Sequence, residues 1–332
     1  MTDTDMIQLP IQKFLGPFIA KKRTPSVQKK YEEIGGGSPI LKWTNLQGKL
    51  MCKKLDEISP ETAPHKHYVA FRYVNPLTDE ALQQVEADNV ERVVLFSQYP
   101  QYSCATSGSS FNAIFSHFQN KPLPSSIKWS IIDRWSIHPF LIKTFADNIA
   151  KKLKEFPENI RSKVIIVFSA HSLPIKAVNR GDPYPSEVGA TVQGVMTELG
   201  YRNPFILTWQ SKVGPVPWLG PFTDEAIEGY VKQGLKNFLL VPIAFVNEHI
   251  ETLHEMDIEY CHDLRKKVGA ELMHRVEAPN DHTLFIDALA DIVSRHLRNN
   301  ERITPKFLLR CPHCTNNKCY DSKQWFQKLC SA

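Results

Sequence analysis

Short apolar runs alternate with longer stretches of helical periodicity along most of this 332-residue chain. The apolar runs are rich in β-branched and aromatic residues and are bounded by polar or proline-containing turns, which is typical of buried strands. They lie at 67–73, 91–98, 127–132, 163–170, 205–211, 238–245 and 271–278. The helical stretches lie at 44–58, 79–88, 138–155, 186–199, 223–234, 249–266 and 283–298. This alternation predicts an α/β fold with mainly parallel sheets.

The chain is long enough for two domains, and its halves are organised alike. Each half has a buried strand that runs into a polar loop, VVLFSQYPQYS in the first and VIIVFSAHSLP in the second. The polar segment PENIRSK lies between them. We therefore predict Rossmann-like domains at 1–157 and 158–300 and a C-terminal extension at 301–332. Because ligands of open α/β sheets bind at the carboxyl ends of strands, the site is expected in a cleft between the domains.

Composition excludes several classes of protein. The net charge of +5 is too small an excess for the dense basic surface of a nucleic-acid-binding protein. No apolar run reaches the roughly 20 residues that span a bilayer. Seven cysteines, four of them scattered, do not suit a secreted disulfide framework. Apolar residues and lysines are interleaved at 6–23, which suits either a membrane-surface lip or a helix packed on its own domain.

Three loops are candidate parts of a binding site, and two of them carry side chains that suit one. The segment FSAHSLP places His171 just past a predicted strand, where an imidazole can accept a proton near neutral pH or simply cap the loop. The proline-rich segment WQSKVGPVPWLGP carries Trp209 and Trp218, which could line a flat ligand or pack on the core. The segment IGGGSPI matches no nucleotide-binding motif and is better explained as a tight turn.

An acidic row follows the apolar run FLLVPIAFV in the segment NEHIETLHE. If a helix begins near residue 247, Glu248, Glu251 and Glu255 fall on one of its faces, flanked by His249 and His254. Such a row suits a path for divalent cations or a proton relay. A solvated face of a surface helix is the alternative.

The segment CPHCTNNKC places Cys311, Cys314 and Cys319 within nine residues near the C-terminus. Zinc would prefer a second cysteine pair or a histidine, whereas an iron–sulfur cluster needs four thiolates. Spacing alone leaves both open. It also leaves four candidates for the missing thiolate: Cys52, Cys104, Cys261 and Cys330.

Taken together, several segments resemble the ferrochelatases, specifically the animal mitochondrial members with a C-terminal cysteine tail: GPFIAKKR, QYPQYSC, FSAHSLP, NRGDPYP, WQSKVGPVPWLGP, VPIAF and EHIETL. The resemblance covers essentially the whole chain. It implies a lyase that inserts Fe²⁺ into protoporphyrin IX and releases two protons, giving protohaem in the last step of haem biosynthesis. It also implies two Rossmann-like domains around a porphyrin cleft.

The resemblance assigns roles to residues of this sequence. The positions that match catalytic residues are His171, Glu251, His138, Asp291, Glu248 and His249. Those that match residues holding the porphyrin are Arg23, Tyr31, Ser38, Arg72, Tyr99, Trp135, Trp218 and Phe245. Those that match the ligands of a [2Fe–2S] cluster are Cys104, Cys311, Cys314 and Cys319.

The resemblance also implies surroundings and partners. It implies a homodimer bound peripherally to the matrix side of the inner mitochondrial membrane, with protoporphyrin IX and ferrous iron as substrates and no nucleic-acid partner. The family's import presequence and first strand, which ends in a Met-Gly-Gly-Pro-like loop, have no counterpart here, so the resemblance is to an N-terminally shortened member. The alternative function is a non-catalytic porphyrin- or haem-binding protein with an iron–sulfur site for stability or redox sensing.

Overall fold

The computed structural model describes residues 12–119, 121, 126–299 and 302–331. The predicted membrane-facing segment at 6–23 lies partly outside them. Within the described residues six strands form two sheets: β1 Arg92–Phe96, β2 Lys128–Ile132, β3 Ile165–His171, β4 Phe205–Gln210, β5 Asn237–Pro242 and β6 Leu272–Arg275. One sheet pairs β1 with β2, and the other has the order β4-β3-β5-β6. All pairs are parallel, which confirms the predicted fold class.

Helices connect and cover these strands. The α-helices are α1 Gln12–Glu33, α2 Ile40–Ile58, α3 Thr78–Ala87, α4 Ser107–Phe118, α5 Pro139–Leu153, α6 Glu158–Arg161, α7 Ile175–Asn179, α8 Tyr184–Glu198, α9 Thr223–Lys232, α10 Arg265–Val268, α11 Thr283–Arg298, α12 Pro305–Leu308 and α13 Asn317–Ser331. A 3₁₀ turn lies at Pro60–Thr62. The segment Glu251–Leu264 is a π-helix, a form that is rare and is often found at functional sites.

The largest core lies around the four-stranded sheet. Helix α5 packs against α8 and α11, and α11 also packs against α2. Phe145 and Ile149 of α5 share this core with Phe168 of β3 and Phe285 of α11. The predicted boundary at 157/158 therefore falls between α5 and a strand of the same core. The division into domains stays a prediction.

The C-terminal segment packs on the two-stranded sheet. Phe307 and Phe326 lie 5.1 Å and 5.7 Å from the ring of Phe111 on α4, and all three rings are buried. The backbone N–H of Ile131 in β2 donates to the Arg302 carbonyl at 2.8 Å. The end of the chain is thus part of the core that surrounds β1 and β2.

Most predicted elements are confirmed, and two expectations were wrong. The run 67–73 is not a strand, because Phe71 bonds back to Pro76 across a tight turn and bridges only to Leu77. The sequence also predicted no helix after residue 298, whereas α13 spans Asn317–Ser331 and includes Cys319. Helix α4 was also missed, because its first turn, SGSS, has low helix propensity.

Candidate active site and cysteine cavity

His171 is the last residue of β3, at the carboxyl edge of the four-stranded sheet. Its Nδ1 lies 2.7 Å from the Ser172 carbonyl oxygen. A carbonyl can only accept, so Nδ1 carries the proton and Nε2 is left as the basic nitrogen. Nε2 lies 3.6 Å from Oε1 of Glu251, and the imidazole lies 6.3 Å from the ring of Trp218.

His249 approaches the same carboxylate from the other side. Its Nδ1 lies 3.1 Å from the Asn247 carbonyl oxygen, so its Nε2 is also the basic nitrogen. That Nε2 lies 3.4 Å from Oε2 of Glu251. Burial alone would raise the pKa of Glu251, but the His171 and His249 rings, when protonated on Nε2, outweigh burial and lower the pKa to about 2. Glu251 is therefore an ionised carboxylate shared by two imidazoles.

Two further side chains surround Glu251: Glu255, which belongs to the predicted acidic row, and Tyr184, which was not predicted. Glu255 accepts hydrogen bonds from the Ser211 N–H at 2.8 Å and the Tyr260 hydroxyl at 2.9 Å. Burial, and then the charge of Glu251, raise the pKa of Glu255 despite these bonds. Burial and Glu251 likewise raise the pKa of Tyr184, whose ring lies 5.9 Å from that of Trp209. The position of Tyr184 in NRGDPYP, one of the segments that resemble the ferrochelatases, could have drawn attention to it.

Glu248 has different surroundings from those expected. The helix begins at Glu251, so Glu248 lies before it and does not share a helical face with the other acids. Its Oε1 lies 2.8 Å from Nη1 of Arg275 and accepts from the Ala278 N–H at 2.9 Å. Burial opposes ionisation of Glu248, but Arg275 lowers its pKa. Glu248 thus forms a buried ion pair that holds the loop before the π-helix.

His138 and Asp291 are brought together although 153 positions separate them in sequence. His138 caps the start of α5, and its Nε2 lies 3.0 Å from Oδ2 of Asp291 on α11. Asp291 also bonds Arg295 at 2.9 Å. Burial lowers the pKa of His138, and Asp291 opposes that shift. Nδ1 of His138 is buried without a hydrogen-bond partner in the part of the chain that is described.

The aromatic residues matched to the porphyrin cleft occupy three kinds of position. Trp218 donates through Nε1 to the Val213 carbonyl at 3.0 Å, and the Phe245 ring packs at a tilt against that of His249, with centroids 4.9 Å apart. Both are half-buried beside the histidine–glutamate group. Tyr99 is 47% exposed just beyond β1. Trp135 is buried instead and donates to the Ser97 carbonyl at 2.9 Å, so its indole supports the core.

The polar residues matched to the porphyrin are mostly accessible. Arg23 lies exposed on α1, and Tyr31 is half-buried near the end of that helix. Ser38 is exposed, and its Oγ accepts from the Ile40 N–H at 3.3 Å at the start of α2. Arg72 donates through Nε to Oγ of Ser109 at 3.0 Å. No contact among the described residues joins these four to Glu251.

The four predicted cluster cysteines line one cavity of about 450 Å³. Among the described residues, Cys52, Cys261 and Cys330 do not line it. The tail reaches the cavity by packing on Gly181, where φ is +99° and an added Cβ would meet Pro312 at 2.4 Å. The His313 N–H donates to the Arg180 carbonyl at 3.1 Å and holds the cysteine segment there. Cys104 comes from a different segment of the chain, and its backbone N–H donates to Asp182 at 2.9 Å.

The charges around this cavity suit an anionic occupant. Among the described residues, no acidic side chain lines the cavity, whereas six basic ones do: Arg134, Lys176, Arg180, Lys306, Arg310 and Lys323. Burial and Asp182 raise the pKa of Cys104, so its thiol needs a metal to ionise. Burial opposes ionisation of Cys314, but hydrogen bonds from Asn316 and Arg310 lower its pKa. Four thiols in a basic, half-buried cavity fit a cluster with four thiolate ligands.

The described residues contain neither a preassembled metal-ion site nor a membrane-spanning helix. In 12–119, 121, 126–299 and 302–331, no group of three or more His, Cys, Asp or Glu side chains, the four cysteines of the cavity included, is already close enough together to hold a metal ion. Within the same ranges, no helix is long and apolar enough to cross a membrane.

Comparisons with known proteins identify the family. The ferrochelatase family model matches residues 1–297. The chain is 69% identical over 331 residues to "Ferrochelatase, mitochondrial" of Drosophila melanogaster, covering 100% of this chain and 86% of the relative. The protein of the same name from Bos taurus is 57% identical over 324 residues, which are 98% of this chain and 78% of the relative.

A solved structure agrees at the level of the fold. SirB from Bacillus subtilis with Fe³⁺ superposes with a TM-score of 0.50 at 12% identity, covering 76% of this chain and 90% of that one. The sequence relatives thus agree with the family inferred from the motifs. The solved structure agrees with the predicted chelatase-type α/β architecture. On the strength of the family match and of both relatives, this chain belongs to the ferrochelatase family.

Proposed function

We propose that this chain is a protohaem ferro-lyase, which inserts Fe²⁺ into protoporphyrin IX and releases two protons. The observation that carries the proposal is the convergence of the His171 and His249 Nε2 atoms on the Glu251 carboxylate, at 3.6 Å and 3.4 Å. Membership of the ferrochelatase family, and the names of the mitochondrial relatives, support it.

His171 is suited to accept a pyrrole proton. Its Nδ1–H is committed to the Ser172 carbonyl, so Nε2 takes the proton. The ionised Glu251 then stabilises the imidazolium, because opposite charges 3.6 Å apart in a half-buried site attract strongly. Glu255, whose pKa burial and Glu251 raise, can hold a proton where Glu251 cannot. Two neighbouring carboxyls with pKa values shifted in opposite directions allow one to remain charged while the other titrates.

Ferrous iron as a substrate needs ligands that bind it and also release it. The Nε2 atoms of His171 and His249 and the Glu251 oxygens are of the kinds that first-row divalent ions accept. We assign these side chains to a transfer path and not to a permanent metal site, because a substrate ion has to leave them again. We assign the aromatic residues Trp218 and Phe245 to the wall that holds the macrocycle, with anchoring by Arg23, Tyr31, Ser38, Arg72 and Tyr99.

The remaining matched residues support this group from a distance. We assign His138 and Asp291, joined at 3.0 Å, to a proton-handling pair of the same reaction. Trp135, which is buried, would position the cleft wall through the Ser97 carbonyl. Glu248 would fix the loop that presents His249 and Glu251, because Arg275 holds its carboxylate at 2.8 Å.

We further propose that Cys104, Cys311, Cys314 and Cys319 hold a [2Fe–2S] cluster. They share one basic cavity, which is the property that supports the assignment. When bound, the cluster supplies one-electron redox chemistry and a covalent tie between the tail and the Cys104 loop. A Cys319→Ser variant should lose the visible absorption of the cluster, and a spectrum like that of the parent would contradict the ligand set.

The cellular setting is proposed from the family. We propose a mitochondrial protein that acts as a homodimer, bound peripherally to the matrix side of the inner membrane through the segment at 6–23. Protoporphyrin is poorly soluble in water, so delivery from a membrane surface would suit it. Sedimentation of the purified chain and its flotation with cardiolipin-containing vesicles would test the assembly and the membrane contact separately.

Anaerobic incubation of the purified chain with Fe²⁺ and protoporphyrin IX tests the main proposal. Formation of haem, followed by its absorption, over many turnovers per chain is the expected result. Porphyrin binding without turnover would instead support the alternative, a non-catalytic porphyrin- or haem-binding protein. A parallel reaction with the His171→Ala variant separates enzymatic insertion from spontaneous insertion.

A further inference from the structure

Lys323 is a buried cation at the wall of the cysteine cavity. It lies on α13, is 5% exposed, and lines the cavity together with Cys104, Cys311, Cys314 and Cys319. Its ammonium donates to the Phe307 carbonyl. The same Nζ lies 4.5 Å from the ring centroid of Phe307 and 5.7 Å from that of Tyr102. Carbonyl and ring contacts orient the ammonium but leave its charge without a counter-ion.

Two of the nearby carboxylates are already paired with other cations, and a third, Asp182, accepts from the Ser103 hydroxyl and the Cys104 N–H, each at 2.9 Å. Asp133 lies 2.7 Å from Nη2 of Arg134, and Glu187 lies 2.6 Å from Nη1 of Arg134 and 3.0 Å from Nζ of Lys306. Lys323 forms no ion pair within the described part of the chain, and no acidic side chain lines the cavity. Burying an ammonium without an anion is unfavourable. The cavity therefore lacks a negative charge that its occupant would supply.

We propose that Lys323 is the built-in counter-charge of the four-cysteine site and raises the reduction potential of the cluster held there. This inference rests on the proposed [2Fe–2S] assignment. Four thiolates and two sulfides outweigh the charge of two ferric ions, so an oxidised cluster is an anion. Reduction by one electron converts one ferric ion to ferrous and adds a further negative charge, with no proton or bond change. A fixed positive charge nearby favours the more negative state.

Lys306 supplies a matched control. It lines the same cavity, but its ammonium pairs with Glu187 at 3.0 Å and its side chain is 57% exposed. Solvent and Glu187 screen its charge, so it should affect the cluster far less than Lys323. Lys323→Met removes the charge and keeps a similar length, whereas Lys323→Arg keeps the charge.

The experiment is a dithionite titration of the purified chain, followed by circular dichroism and EPR of the cluster. Lys323→Met should shift the oxidised-to-reduced equilibrium at least tenfold toward the oxidised form, which is about 59 mV for one electron. Lys323→Arg and Lys306→Met should stay within about threefold of the parent by the same reasoning. A fully loaded Lys323→Met variant whose potential equals that of the parent would overturn the proposal. A parent chain without iron and sulfide would instead refute the cluster assignment itself.

A second measurement covers the case in which Lys323→Met fails to hold the cluster. Thermal unfolding is compared for Lys323→Met in the parent and in a Cys319→Ser background, which removes one proposed ligand. Where the occupant is absent, the buried ammonium is uncompensated, so Lys323→Met should raise the melting temperature. In the loaded parent, the same substitution should lower the melting temperature. Equal shifts in the two backgrounds would show that Lys323 does not interact with the occupant.

Discussion

Nε2 of His171 lies 3.6 Å from Oε1 of Glu251, so the end of β3 meets the first residue of the π-helix. The Ser172 carbonyl, 2.7 Å from Nδ1, fixes which nitrogen of His171 is basic. The backbone of the strand end thus prepares the imidazole to accept a proton, and the carboxylate prepares the site to keep the resulting charge.

Replacing His171 by alanine should lower kcat for haem formation by about 10²- to 10⁴-fold, the usual contribution of a positioned general base. Porphyrin binding, followed by quenching of tryptophan fluorescence, should persist because Trp218 and Phe245 remain. His262→Ala is the control, since that side chain is 59% exposed on the same π-helix. A His171→Ala enzyme that turns over as fast as His262→Ala would remove His171 from the mechanism.

The low pKa of Glu251 makes a prediction about stability at acid pH. A folded-state pKa of about 2, below the ordinary 4.5, means that the ionised form stabilises the fold above about pH 4.5. That contribution, about 3 kcal/mol at most, is lost as the pH falls from 4.5 toward 2. The difference in free energy of unfolding between the parent and Glu251→Gln should therefore shrink between pH 6 and pH 3.

Urea titrations at both pH values check this prediction. Glu225→Gln is the control, because that carboxylate is 61% exposed beside Lys212 and should change stability by less than about 1 kcal/mol at either pH. A difference for Glu251→Gln that stays constant with pH would mean that its carboxylate has an ordinary pKa in the folded chain.

Local sequence was sufficient for the sheets but not for every helix. Runs such as IIVF and FLLV are continuously apolar, as buried parallel strands require, and they lie in β3 and β5. Helix α4 begins with serines and a glycine, and it is held by Phe111 packing on Phe307 and Phe326 from the tail. Such stabilisation depends on residues almost two hundred positions away, so no local pattern could report it.

For the same reason, the sequence predicted only part of the candidate site. His171 stood out because it ends a strand, and Glu251 because it follows one. The sequence could not distinguish a π-helix from an α-helix at 251–264, because the spacing of its apolar residues fits both. The pairing of Glu248 with Arg275 and the buried charge of Lys323 are tertiary contacts without a local pattern.

Arg275 should be essential to stability. Its guanidinium lies 2.8 Å from Glu248 and 2.7 Å from Asp257, and its side chain is 7% exposed. Arg275→Met would leave the Glu248 carboxylate buried without a partner, which costs about 3–5 kcal/mol. Urea denaturation at pH 7 measures this loss. Lys267→Met, which breaks a surface pair with Glu228, should cost less than about 1 kcal/mol, and an equal loss in both variants would contradict the prediction.

The pKa of His138 should depend on its pairing with Asp291. Burial lowers the pKa of His138 below its ordinary 6.5, while Asp291 raises it and Arg295 lowers it. Because the unfolded chain then binds a proton that the folded chain does not, stability is complete above pH 6.5 and falls as the pH drops toward the folded-state pKa. NMR titration of the His138 ring proton, assigned with His138→Gln, should show Asp291→Asn moving its pKa down and Arg295→Met moving it up. A parent value at or above 6.5 would contradict the net lowering by burial, and shifts of the same sign in both variants would show that the two charges do not act on this histidine as described.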